Sequence, residues 1–437
     1  MSGFGLDSAV PALVLRIDRN PLHHGTLGAI RSLGRAGVEV HAVLEDRGVP
    51  AARSRYLRRV YPMGPEPGPV LLGGLLRLGE RIGRPTLLVT MDDAGALFAA
   101  ENAEALRERF LLPVPKDAGL PRRLADKQAV AELCRSWGVP HPRTEAPADA
   151  LGLRAAVAAL GLPLIAKWAR PWLLPAAATA SAAAPPLRST QVVRTRAEAE
   201  ALFARRGEAG TTLLLQELLP ESPQGDWFFH GYFDAAGRCL FGATGRKDRS
   251  WPPHAGLTAL GRWLPNPDIF GLAERLAGGI GYHGVVDLDF RREPGTDRYH
   301  LLDFNPRLGA QFRLFADGSG LDVVRAMHLD LTGRRVPAVR PRPGRGFWVE
   351  NYDPVGALRL MREGELAPAA FVRSLRGVGE RAWFAADDPV PFALMWRQLA
   401  ARGAARALRG RARRRADEEQ APGRVPLEPI AASEGPA

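Results

Sequence analysis

The chain has 437 residues, of which 46% are apolar and 24% charged. That balance supplies a real core and corresponds to about two to three domains, which excludes a mostly disordered chain, a collagen-like repeat and a disulfide mini-protein. The net charge is +12, but seven of those charges are arginines crowded without an acid into residues 402–415, so a solvated helix end explains the excess more simply than a nucleic-acid surface.

No stretch approaches the ~20 uninterrupted apolar residues of a spanning helix, and no signal peptide is expected. Cys134 and Cys239 read as two separate thiols of a reducing, cytoplasmic compartment.

In chain order, Val10 to Asp18 reads as a strand, Gly25 to Ala36 as a helix closed by Gly37, and Val38 to Leu44 as the next strand. After a further helix, Pro85 to Thr90 runs directly into Met91-Asp92-Asp93. Alternating strands and helices with short connections predict a parallel, doubly wound sheet whose ligands bind beyond the strands' carboxyl ends. Arg16, Asp18, His23, His24, Asp92 and Asp93 fall there; a substrate loop or a surface turn is the simpler reading of the two histidines.

Asp126 to Trp137 and Leu151 to Leu160 then read as helices, and Pro163 to Lys167 as a strand. Residues 170–190 are small and proline-rich and predict a mobile loop. Strand 191–194, a helix from Ala197 and strand Thr211 to Gln216 follow. Long β-like runs dominate from Asp226 onward, and beyond Val336 the pattern turns helical, with Trp348, Trp383 and Trp396 as packing residues.

The stretch that carries chemistry is Gly284 to Arg307. Two runs of period-2 alternation flank the turn Pro294-Gly295-Thr296-Asp297, a hairpin signature. A turn centred on Thr296 pairs Asp289 with Asp303; Asp287 shares the face of Asp289, and Asn305 that of Asp303. Two carboxylates and an amide brought together between apolar neighbours call for a cation, and oxygen-only donors suit Mg²⁺ with phosphate oxygens in its remaining positions. Arg307 stands just beyond, placed to meet a phosphate or a developing negative charge.

No GxxxxGK[ST] and no early GxGxxG is present, which argues against P-loop and Rossmann nucleotide modes. Lysine is scarce in this arginine-rich chain, yet Lys127 opens a helix and Lys167 ends a strand. Glu217, after Leu213 to Gln216 and before Leu218-Leu219-Pro220, reads as a hinge between subdomains.

These residues together resemble the ATP-grasp superfamily in its carboxylate–amine ligase branch, of the D-aspartate ligase and carbamoyl-phosphate synthase large-chain type. The motifs that carry the resemblance are Ala125-Asp126-Lys127 with Gly138-Val139-Pro140, Pro163 to Lys167, Gln216-Glu217, and Asp289 with Leu302 to Arg307. The resemblance implies that Lys127 and Lys167 bind ATP phosphates, that Glu217 and Leu219 meet adenine, and that Asp226 takes the ribose hydroxyls. It also implies that Asp289, Asp303 and Asn305 hold Mg²⁺ or Mn²⁺, and that Arg307 is the catalytic residue at the reacting centre. Two features depart from the family pattern: aspartates replace the usual glutamates as metal ligands, and residues 176–186, where the phosphate-covering loop falls, lack glycine. Arg246, Lys247 and Arg249 align loosely with basic residues near the phosphates or substrate, and an exposed basic turn is an equally good reading of them.

The implied architecture mixes α/β and α+β. A Rossmann-like parallel-sheet domain (1–115) precedes an ATP-grasp domain (116–335) with a small lid subdomain (about 150–217), a helical extension (336–415) and a disordered tail (416–437). The implied activity is ATP-dependent carbon–nitrogen ligation through an acylphosphate, with a small carboxylate and an amine as substrates, an amino acid or peptide among them, and a homodimer compatible with it. The alternative is a non-catalytic ATP-binding regulatory protein of the same fold.

Overall fold

A computed structural model of the chain describes residues 4–18, 20–62, 68–117, 119–175, 186–222, 224–253 and 256–419, with residues 405–419 as backbone only. The chain divides into two compact units, Met1–Phe392 and Ala393–Ala437. In the second, the described residues are helical throughout and include the arginine-rich run. Trp396 there is 42% exposed, so of the three tryptophans expected to pack, this one keeps much of its ring at the surface. No helix among the described residues is long and apolar enough to cross a membrane.

The first β-favouring runs pair in parallel as β1 (Ala12–Leu15), β2 (Val40–Leu44), β3 (Leu57–Pro62), β4 (Thr86–Thr90) and β5 (Phe110–Leu111), in the order β3-β2-β1-β4-β5. Strand order reverses between β1 and β4, which opens a crevice at their carboxyl ends. Asp92 is consumed there as a helix cap: Gly95 N donates to its Oδ1 and Ile17 N to its Oδ2, each at 2.6 Å.

The second sheet contains β6 (Thr144–Glu145), β7 (Leu164–Trp168), β8 (Thr190–Val193) and β9 (Leu213–Glu217) in the order β6-β9-β7-β8, all antiparallel. Helices Ala150–Leu160 and Arg196–Ala204 lay Leu153, Val157, Leu202 and Phe203 onto Leu164, Ala166, Leu213 and Leu215. The expected glycine-poor phosphate-covering loop falls largely on residues 176–185, outside the described residues.

The third sheet runs β14-β13-β10-β11-β12-β15-β16, built from β10 (Asp226–Phe233), β11 (Cys239–Trp251), β12 (Leu257–Trp263), β13 (Gly284–Arg292), β14 (Tyr299–Asn305), β15 (Gly346–Trp348) and β16 (Val378–Arg381). The C-terminal extension is therefore not helical alone. Before helix Asp353–Arg362 it supplies β15 to the edge of β12, and after helix Pro368–Ser374 it supplies β16 parallel to β15.

Ion pairs fasten the extension at two ends. Arg249 grips Asp353 through Nε at 2.6 Å and through its second arm at 2.7 Å, and Arg31 of the first helix meets Asp388 at 2.9 Å. Asp388 also accepts from Ser54 Oγ at 2.7 Å.

Candidate active site

Period-2 alternation sorts the third sheet into two faces. Phe229 and Phe233 of β10, Val286, Leu288 and Phe290 of β13, and Phe304 of β14 join one hydrophobic core, covered by Ile269, Ala273 and Leu276 of the helix Pro267–Gly279 and by Val130 and Cys134 of the helix Lys127–Ser136. The intervening residues, His230, Asp287, Asp289, Asp303 and Asn305, therefore fall on the opposite face.

Register sets their pairing: Asp287 lies opposite Asn305 and Asp289 opposite Asp303, as the turn position required. Between Asp289 and Phe290 the ladder slips by one residue. Leu302 takes up the extra position, and its carbonyl accepts from Lys167 Nζ at 3.1 Å. The bulge thus turns a backbone acceptor toward Lys167, the last residue but one of β7.

Three lysines converge on these carboxylates. Lys127 Nζ lies 2.6 Å from Asp303 Oδ1, Lys167 Nζ 3.5 Å from the same oxygen, and Lys247 Nζ 2.7 Å from Asp289 Oδ1. Burial works to raise the Asp303 carboxyl, but Lys127 and then Lys167 more than offset it and hold the group well below the usual carboxylate range. Asp289 goes the other way: burial outweighs Lys247 and leaves its carboxyl raised. Burial also lowers the Lys167 ammonium despite Asp303, whereas Lys127 is raised because Asp303 overcomes its burial.

Arg307 is held from two directions. Its Nε meets Asp93 Oδ1 at 3.0 Å, and NH1 meets Asp287 Oδ2 at 3.0 Å. Asp93 comes from the first turn of the helix after β4, so the parallel-sheet region reaches into this site. The other oxygen of Asp287 lies 3.1 Å from His230 Nε2, and Asn305 Nδ2 donates to the Asp287 carbonyl at 3.2 Å. A Cβ at Gly309 would lie 2.2 Å from His230 Cε1 and 2.7 Å from Asp287 Cγ. Only glycine allows the chain after Arg307 to pass so close.

The residues expected at a hinge lie apart from these carboxylates' contacts. Glu217 ends β9, where Arg143 donates to its Oε2 from the backbone at 3.3 Å and from Nε at 3.2 Å. Leu219 is buried, and its carbonyl accepts from Arg291 NH1 at 3.3 Å. Arg291 also clasps both oxygens of Asp226, at 2.7 and 3.0 Å. A ribose role for Asp226 therefore requires a ligand to share a carboxylate that is already paired.

The histidine pair is not a surface turn. His23 caps the first helix, its Nδ1 accepting from Thr26 N at 3.2 Å, and a Cβ on the next residue but one, Gly25, would meet Ala310 Cα at 2.7 Å. His24 is buried against Phe347, Tyr352 and Trp383, with ring centroids 5.9 to 6.5 Å away. Burial pushes its imidazole down to about 4.

Between that value and the unfolded one of about 6.5, the unfolded chain binds the extra proton, so His24 lowers stability as pH falls through this window. His24→Phe is expected to make the dependence shallower by about one proton, read from urea midpoints between pH 4 and 7. An unchanged slope would show that His24 titrates normally.

Asp93, His230 and Lys247 complete a cluster that sequence motifs alone do not assemble. Period 2 already put Asp287 beside Asp289, and Lys247 stood in a basic run. Nothing local signals that Asp93 will meet a residue 214 positions away.

No family model matches the chain. D-aspartate ligase from Enterococcus faecium (strain Aus0004) is 22% identical over 314 residues, covering 68% of this chain and 72% of the relative. The fold is similar to the biotin carboxylase domain of Hydrogenobacter thermophilus 2-oxoglutarate carboxylase, solved with MgADP, ADP and bicarbonate, at a TM-score of 0.56, 15% identity and coverage of 76% and 73% of the two chains. It is also similar to N5-carboxyaminoimidazole synthetase from Staphylococcus aureus complexed with ADP, at a TM-score of 0.57, 11% identity and coverage of 79% and 83%. The chain has the ATP-grasp fold.

The predicted Asp289, Asp303, Asn305 and Arg307 lie on or just beyond the hairpin of the seven-stranded sheet, and Lys127 from its helix and Lys167 from β7 of the four-stranded sheet reach Asp303.

Proposed function

We propose that this protein is an ATP-dependent carboxylate–amine ligase that works through an acylphosphate. The observation that carries the reading is the single polar face that holds Asp287, Asp289, Asp303 and Asn305, with three lysines paired to Asp289 and Asp303 and Arg307 paired to Asp287. The ligase and ADP-bound relatives support it.

The donor set fits Mg²⁺ with ATP. Among the described residues, no group of three or more His, Cys, Asp or Glu could hold a metal unaided. Two carboxylates and an amide therefore need phosphate oxygens to complete a hard-cation site. Asp289, Asp303 and Asn305 would hold the ion, which when bound would neutralise charge on the phosphates.

In the reaction, a substrate carboxylate oxygen attacks the γ-phosphorus, and the bond from that phosphorus to ADP breaks. An amine nitrogen then attacks the acyl carbon; inorganic phosphate leaves and the amine gives up a proton. Lys127 and Lys167 hold the phosphates, and Arg307, fixed by Asp93 and Asp287, faces the charge that develops on the reacting oxygens. Glu217 and Leu219 border the adenine, with Asp226 toward the ribose. Catalysis of this kind rests on positioning and charge neutralisation rather than on a protein nucleophile.

Residues 116–335 form the ATP-grasp domain in this reading, behind a substrate-bearing domain of residues 1–115. The free thiols Cys134 and Cys239 fit a cytoplasmic setting. The carboxylate is a small one, with amino acids and short peptides the class to test.

A screen of the full chain with ATP, Mg²⁺ and pairwise panels of amino acids tests this. ADP formation that needs both a carboxylate and an amine is expected. Failure of the chain to bind or turn over ATP in any combination would overturn the reading.

A further inference from the structure

The site is closely balanced in charge. Four cations (Lys127, Lys167, Lys247 and Arg307) and four carboxylates (Asp93, Asp287, Asp289 and Asp303) are joined by five ion pairs of 2.6 to 3.5 Å. Lys167, Lys247 and Asp287 are largely withdrawn from water, at 8%, 13% and 7% side-chain exposure. The two oxygens with the shortest lysine contacts, Oδ1 of Asp289 and Oδ1 of Asp303, belong to the carboxylates proposed to bind metal.

We infer that Lys127, Lys167 and Lys247 act as counter-ions that oppose a lone divalent cation, so that the cation and the nucleotide phosphates enter this site cooperatively. This rests on the ATP-dependent reading above. Mg²⁺ binds oxygen at about 2.0–2.1 Å, and a carboxylate oxygen that already receives one or two ammonium groups cannot serve such an ion at full strength.

A lone dication would add two charges to a balanced, half-buried set and push the lysines from the carboxylates they face. Lys167 would keep only the Leu302 carbonyl, and desolvated ammonium groups are costly without an anion. Polyphosphate removes both objections at once: the lysines transfer to phosphate oxygens, and the freed carboxylates take the metal. Because linkage is reciprocal, each ligand must raise the other's affinity by the same factor.

The test uses the full chain with Mn²⁺ as the metal probe, followed by electron paramagnetic resonance, and ADP as the nucleotide probe, followed by calorimetry. In the wild type, saturating ADP is expected to tighten Mn²⁺ binding by about a hundredfold, within the usual range of coupling between sites. The deciding arm is Lys247→Met, with Lys127→Met as a second variant should the first not fold. Removing one competing ammonium is expected to tighten binding of Mn²⁺ alone by about tenfold, the size of one charge-assisted contact, and to shrink the coupling with ADP. A residue that merely supported the fold would weaken metal binding or leave it unchanged.

If ADP binds with Mn²⁺ but neither lysine variant gains affinity for Mn²⁺ alone, the counter-ion inference falls and the ligase reading stands. If ADP does not bind with or without Mn²⁺, both fall.

Discussion

Asp303→Asn is expected to lower ATP turnover by about a thousandfold, the loss typical of removing a preorganised charge from a transition-state site. Asp303 serves three partners at once: it faces Asp289 across the hairpin and pairs with both Lys127 and Lys167. The amide keeps the shape and an Oδ1 that can still accept from both lysines, but loses the negative charge that compensates them. The side chain is 28% exposed, so water can reach part of the deserted pair and the stability cost stays near 2 kcal/mol. Phosphate release under saturating ATP, beside a thermal melt, separates the two effects. A folded Asn variant with turnover close to wild type would remove Asp303 from the chemistry.

The second large effect is expected at Arg307. Arg307→Lys preserves the charge but replaces a planar fork with a single point, and one ammonium cannot reach Asp93 and Asp287 in their present places and still present a donor to a reacting oxygen. Turnover is expected to drop by about a hundredfold with little change in the apparent affinity for ATP. Arg307→Met leaves Asp287, only 7% exposed, with His230 as its remaining partner. That variant should lose about 3 kcal/mol of stability as well as activity. Wild-type turnover in the Lys variant would show that charge alone, without the bidentate geometry, satisfies the site.

The hairpin from Gly284 to Asn305 was legible because two strong rules coincide there. Strand residues alternate faces, and the turn at Pro294 to Asp297 fixes the pairing that sets Asp289 against Asp303. The bulge at Leu302 was not legible, since either leucine of the pair Leu301-Leu302 could fill the core position that Leu301 takes.

Lys127 and Lys167 carry no chemical signature alone; only their order among the other motifs, read through a family resemblance, assigns them to the phosphates. The roles of Asp93 and His230 could not be read, because chain folding rather than local pattern brings them to Arg307 and Asp287. In the C-terminal stretch the strands Gly346–Trp348 and Val378–Arg381 have three and four residues. Runs that short are set by the sheet edge they join, and the helices around them dominate the periodicity.

Those two short strands decide how the polypeptide can be divided. A fragment ending near residue 335 would leave β12 with unpaired amide and carbonyl groups along a flank that β15 now covers, an invitation to intermolecular β-pairing. It would also strip Arg249 of Asp353 and Arg31 of Asp388, orphaning one guanidinium on the seven-stranded sheet and another in the parallel-sheet region. A fragment that keeps this sheet and these pairs therefore extends to Asp388, and the segment that looks like an appendage in linear order is the hem that finishes the fabric.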